Sequence, residues 1–148
     1  MQVRKILVPV DFSGHSGAAL DLAIDFAKAF EASITLLHCY QIDPSGGSPY
    51  GIAMPPDYVR GIEETADGDL REWCEKAAAK GVAADYCLSS VSPAPAIVHR
   101  AEAIDADLIV MGTRGLSGLS HLMIGSVAER TLRFAPCPVI TVKAEESQ

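Results

Sequence analysis

What the chain lacks narrows the field first. No stretch approaches the roughly 20 consecutive apolar residues of a membrane-spanning helix. The amino-terminal MQVRKILVPVDF has neither the long apolar run nor the small-residue cleavage site of a secretory signal. The expectation is a cytoplasmic protein with no membrane partner. Positive charge is scarce: 12 Lys and Arg face 19 Asp and Glu, and the net charge of −7 repels nucleic-acid phosphates over most of the surface. Nucleic acid is therefore not an expected partner, and a phosphate ligand would have to be held by local groups. The four cysteines, Cys39, Cys74, Cys87 and Cys137, stand singly, without the close pairs of a zinc site or redox dithiol, and are expected to be reduced and mostly buried. His15, His38 and His99 are equally isolated, so no metal set is expected.

What is present alternates. KILVPVD (5–11) is an apolar run with polar ends, as expected of a strand covered on both faces. Between Ser13 and Phe30, Ala19, Leu22, Ala23, Phe26, Ala27 and Phe30 recur at helical spacing, with Ser13 or Ser16 available as cap. SITLLHCY (33–40) is a second strand, and residues 41–56, with four prolines and three glycines, form a loop suited to a lid. Tyr58, Ile62, Ala66, Leu70, Trp73 and Ala77 mark a second helix that stops before Gly81. Strands at 84–90, 107–113 and 139–143 then alternate with helices that begin at Pro93 and Ser126.

Four strand-helix alternations closed by a strand imply a single α/β domain over residues 1–148: a doubly wound, five-stranded parallel sheet with helices on both faces, ending in an acidic tail at 144–148. Ligands of such sheets sit at the carboxyl ends of the strands, where the strand order reverses. Asp11 closes the first strand there and Gly112 the fourth. Asp11 at that place points to a ligand contact as well as to a helix cap.

The segment GTRGLSGLSHLMIGS (112–126) has no lysine and neither the P-loop nor the dinucleotide-binding glycine pattern. It does carry Gly112, Gly115, Gly125 and Ser126 in the spacing G-x2-G-x9-G-S. Glycines let backbone amides approach a ligand closely, and the first amides of a helix carry partial positive charge. The amides of Gly112 to Gly115 and of Gly125, Ser126 and Val127 are thus expected to grip a polyphosphate from two sides. Ser126 also begins a capping box with Glu129, so it would cap its helix when the site is empty. Arg114 is a permanent cation able to reach phosphate, and His121 has no visible partner. Tyr50 and Tyr58 border the proline-rich loop, and Trp73 is read as core.

KILVPVDFS (5–13), LLHCY (36–40) and, above all, IVMGTRGLSGLSHLMIGSVAERTLRFAPCPVITVK (109–143) resemble the universal stress protein family of the ATP-binding kind. The resemblance implies a Rossmann-like domain, akin to the adenine nucleotide alpha hydrolases, that binds ATP with little or no turnover and forms a homodimer. Carried onto this chain, it implies that Pro9, Val10, Asp11 and the Cys39 backbone meet the adenosine. Met111, Gly112, Thr113, Arg114 and Gly115 would hold ribose and phosphates with Gly125, Ser126, Val127 and Ala128. Magnesium would arrive bound to the phosphates. The family usually has glycine then proline before the third helix, whereas this chain has Ser92-Pro93-Ala94-Pro95, which puts the adenine rim in doubt.

No catalytic base, orienting group and fixed metal ligand assemble from these residues, so the expected role is a nucleotide-responsive regulator in stress rather than an enzyme. The rivals are a nucleotide-independent dimeric scaffold for a protein partner and a slow ATPase. The dimer is expected through PVITVK (138–143), an edge strand of β-branched residues with Lys143 as its only charge.

Overall fold

Ile6, Leu7 and Val8 have no exposed surface, and this apolar centre makes β1 (Lys5–Pro9) a strand buried on both faces. The structure, a computed structural model, describes residues 1–42, 55–115 and 123–145. Expectations for the body of the loop at 43–54, for Tyr50, for His121 and for residues 146–148 lie outside the described residues.

After β1 the chain turns through Phe12, whose φ of 62° is left-handed backbone. It then enters α1 (Gly14–Phe30), where the Ser13 side chain is the cap and accepts from the Ser16 amide. The elements that follow are β2 (Ser33–Cys39), α2 (Pro56–Ala79), β3 (Ala84–Ser89), α3 (Pro93–Ala103), β4 (Leu108–Gly112), α4 (Ser126–Phe134) and β5 (Val139–Val142). The strands form one sheet in the order β3-β2-β1-β4-β5, with every pairing parallel. The expected α/β architecture is the observed one, and β1 and β4 are the neighbours at which the order reverses.

Alternate residues feed two cores. Ile6, Val8, Leu36 and Val110 pack against α1 and α2, whereas Leu7, Leu37, Ile109 and Met111 pack with Ile97 of α3 and Ala128 of α4. The apolar face of α1 is broader than the sequence stripe: Leu20 and Ile24 have no exposed surface, while Phe30, counted in that stripe, is 48% exposed. Tyr58 is also 55% exposed in the first turn of α2, so that helix's buried face runs through Ala66, Leu70, Cys74 and Ala77. Tyr40 and Tyr86 tie α2 to the sheet by donating to Glu63 at 2.6 Å and Asp67 at 2.9 Å.

At the opposite end of the strands, the Arg4 and Lys5 amides donate to one oxygen of Asp107, at 2.8 and 3.0 Å. These bonds hold the start of β1 against the start of β4, and they lower the Asp107 pKa because they favour the charged form. A depressed folded pKa stabilises the protein above the unfolded value, near 3.9 for aspartate, and this contribution is lost as pH falls through the folded value. Asp107→Ala is therefore expected to lower the urea midpoint at pH 7 and to converge with the parent towards pH 2–3. A deficit of equal size at both ends of that range would rule out this role for the carboxylate.

Candidate functional site

Where β1 and β4 part, their carboxyl ends open a cleft of about 650 Å³, within the range of small-molecule sites. One wall is Pro9, Val10 and Asp11; the facing wall is Met111, Gly112, Thr113, Arg114 and Gly115. The first turn of α4, with Gly125, Ser126, Val127 and Ala128, closes one side, and Cys39 at the end of β2 lies on the other. Every candidate site residue from the sequence therefore lines one cleft. The Ser92-Pro93-Ala94-Pro95 turn lines it as well, so the segment that departs from the family pattern does sit on its rim.

A short bond joins the two glycine turns: the Gly125 amide donates to the Thr113 carbonyl at 2.7 Å. This corrects two expectations. The Gly125 amide is spent within the protein, as is that of Thr113, which donates to Val142 at 2.9 Å. The Glu129 amide donates to the Gly125 carbonyl, so Gly125 is the N-cap and Ser126 is the first residue of α4. The capping box therefore does not form, because its serine stands one residue too late. The Glu129 carboxylate instead accepts from Arg133 at 2.9 Å. Helices leave their first amides without intrahelical partners, and here those next in line belong to Ser126, Val127 and Ala128.

Asp11 braces the opposite wall. One of its carboxylate oxygens accepts from the Ser13 amide at 3.0 Å while Ser13 caps α1, so the aspartate lines the cleft instead of serving as the cap. Gly115 lies so close that a β-carbon there would collide with Asp11 Oδ2. Gly112 is as confined, since a β-carbon would come within 2.8 Å of His15 Cβ. Thr113 Oγ1 is buried with no hydrogen-bond partner among the described residues. It is an orphan polar atom in a wall of the cleft, and such an atom fits a polar ligand.

Some of the lining was missed from the sequence. His38 is not isolated: its Nδ1–H donates to the Val10 carbonyl at 2.8 Å, which leaves Nε2 as the acceptor in the neutral ring. Phe12 packs against the His38 ring at 4.6 Å with the planes tilted by 40° and meets Trp73 edge-on at 5.3 Å, so this aromatic column supports the turn that carries Asp11. Only strand pairing brings His38 to Val10, and no local signal marks it. Arg130 was legible, because it stands four residues after Ser126 and so shares its helix face. His15 also has a partner, accepting from the Ala144 amide at 3.1 Å.

The cysteines are free, as expected, but only Cys74 is buried and the other three are half-buried. Burial, with a smaller effect of Cys87, pushes the Cys39 thiol up to about 11, so at neutral pH it is a protonated wall group and a poor nucleophile. Among the described residues no His, Cys, Asp and Glu side chains cluster to hold a metal, and no helix is long and apolar enough to cross a membrane.

An open parallel sheet whose switch-point crevice is closed by glycine turns and a helix N-terminus defines a doubly wound, Rossmann-like domain. Residues 2–143 match the universal stress protein family, and the chain belongs to it. It is 35% identical over 148 residues to universal stress protein YxiE of Bacillus subtilis, covering 95% of this chain and 99% of that one. Hypothetical protein MJ0577 shares the fold with a TM-score of 0.85 at 24% identity, over 99% of this chain and 100% of that one. Two further solved relatives hold adenine nucleotides, each at 25% identity. One is a universal stress protein in complex with cAMP, with a TM-score of 0.73 over 98% of this chain and 100% of that one. The other, from Archaeoglobus fulgidus in complex with dAMP, has a TM-score of 0.68 over 97% of this chain and 100% of that one.

Proposed function

We propose that the cleft binds ATP and that the protein acts as a nucleotide-responsive regulator in stress, turning over little or none of its ligand. The observation that carries this reading is the Gly125-to-Thr113 hydrogen bond, which locks two glycine turns onto one crevice and leaves the next amides of α4 at its edge. Backbone amides at a helix start bind phosphate without a lysine, which suits a chain of net charge −7. Adenosine lies against Pro9, Val10, Asp11 and the Cys39 backbone. The phosphates lie between Met111 to Gly115 and the Ser126, Val127 and Ala128 amides, with the Thr113 and Ser126 hydroxyls assisting. Magnesium, if it accompanies the nucleotide, would be held by the phosphates and would supply charge neutralisation. The cAMP and dAMP complexes of relatives support an adenine nucleotide as the class of ligand.

The regulatory reading rests on the chemistry of the walls. The cleft offers donors, two arginines and an aspartate that already accepts from Ser13, with a thiol that stays protonated. These groups hold and orient a ligand without activating water.

Protein purified without added nucleotide, denatured and chromatographed, is expected to release ATP or, once stripped, to bind it at micromolar Kd by calorimetry. With magnesium, phosphate release is expected far below the ~10 per second typical of enzymes. A folded, stripped protein that takes up no adenine nucleotide sinks the reading in favour of a nucleotide-independent scaffold. Turnover near the enzymatic rate that is lost on Asp11→Ala would make it an ATPase.

A further inference from the structure

The charged groups of the cleft run against the rest of the chain. In a protein of net charge −7, the described residues of the lining carry two arginines, Arg114 and Arg130, against the single carboxylate of Asp11. Arg114 comes from the turn after β4, whereas Arg130 comes from α4 on the other side. On that helix Glu129 and Arg133 pair with each other at 2.9 Å, and neither lines the cleft.

Position within the helix sets what Arg130 can reach. Long helical side chains lean back towards the N-terminus over the preceding turn, so a residue four positions after Ser126 covers the turn whose amides face the cleft. The amides of one helix turn suffice for a single phosphate group. A guanidinium beside them adds a planar fork of donors and a permanent charge suited to a further phosphate. Across the cleft, Thr113 Oγ1 is buried without a partner among the described residues, and its wall is joined to α4 by the Gly125 bond.

Resting on the nucleotide-binding reading above, we infer that Arg130 reads the length of the phosphate chain and makes the cleft prefer nucleoside triphosphate to nucleoside monophosphate. The nucleoside and first phosphate bind through the strand ends and helix amides, and the added phosphates bind through Arg130. The residue is exposed on the surface of α4, so the contact weakens as salt screens it.

The test is calorimetric titration of stripped protein with ATP, ADP and AMP at low and physiological salt, for the parent, Arg130→Gln, Arg130→Lys and Lys28→Gln. Arg130→Gln keeps a good helix former at an exposed site, and Lys28→Gln makes the same charge change near the far end of α1. The parent is expected to bind ATP more tightly than AMP. Arg130→Gln should lose roughly tenfold for ATP, a loss of about 1.4 kcal/mol, and less than about twofold for AMP. Arg130→Lys should fall between, having charge without the fork, and Lys28→Gln should match the parent. Equal losses for ATP and AMP, no loss for either, or a loss shared by Lys28→Gln each overturn the role of Arg130 while nucleotide binding stands. A parent that binds none of the three nucleotides overturns the underlying reading and this inference with it.

Discussion

Gly112→Ala is expected to lower Tm by roughly 5 °C, Gly115→Ala to cost ATP affinity tenfold or more with little change in Tm, and Gly125→Ala to do least of the three. The ranking follows from what each new methyl group meets. At Gly112 it would lie 2.8 Å from His15 Cβ and 3.0 Å from the His15 backbone carbon. That first turn of α1 cannot swing aside, so β4 and α1 must separate, at a cost of about 2 kcal/mol. At Gly115 the obstacle is the end of a side chain, Asp11 Oδ2, which can move. The fold then survives and the cleft wall does not. At Gly125 the neighbour is the Thr113 carbonyl oxygen at 3.1 Å, which need give only a few tenths of an ångström.

The consequence is an interaction between two sites. If Gly115→Ala acts by displacing Asp11, adding it to Asp11→Ala should cost little more, because neighbours that share one contact are not additive. Calorimetry of the two single variants and the double variant measures this. Fully additive losses would mean that the glycine serves binding independently of the aspartate, and a Gly112→Ala protein as stable as the parent would contradict the close approach of β4 to α1.

The second large effect concerns the edge. Thr141→Pro is expected to turn a homodimer into a folded monomer, and Ile140→Pro one residue away to lose the fold. Among the described residues β5 has β4 as its only neighbour in the sheet. The Ile109 amide donates to Pro138 and the Thr113 amide to Val142, at 3.0 and 2.9 Å, so residues 138, 140 and 142 turn their peptide groups towards β4. Peptide groups alternate sides along a strand, which leaves those of Val139 and Thr141 on the free edge. Such an edge invites a second strand, and pairing with its own copy across a two-fold axis closes the assembly.

The acidic tail is the competing cover. Its first residue, Ala144, is instead held by His15 of α1 through its amide. Proline at 141 removes an outward donor and leaves the β4 ladder intact, whereas proline at 140 removes a donor of the β4 ladder itself. Light scattering after size exclusion decides it. A parent at the 15.7 kDa mass of one chain rejects the dimer. Folded dimers of both Thr141→Pro and Val139→Pro would place the interface elsewhere.

The elements and their order were determined by the sequence itself, because strand burial, helical periodicity and Pro or Gly stops are local properties. KILVP, LIVMG and the stripe through Ala66, Leu70 and Ala77 each carry their own signal. Most of the cleft was legible for the same reason, since the parallel α/β rule sends ligands to strand ends and glycine spacing marks where a backbone can approach. What only the tertiary structure decided are matters of pairing across long sequence separations. Whether the Gly125 amide faced a ligand or the Thr113 carbonyl depended on how the two turns met, and that left Gly125 as the cap in place of Ser126. His38 acquired its role from Val10, 28 residues earlier, through strand register. Hydrogen bonds and close contacts between distant segments depend on the relative placement of whole elements, and no local pattern of residue types encodes that placement.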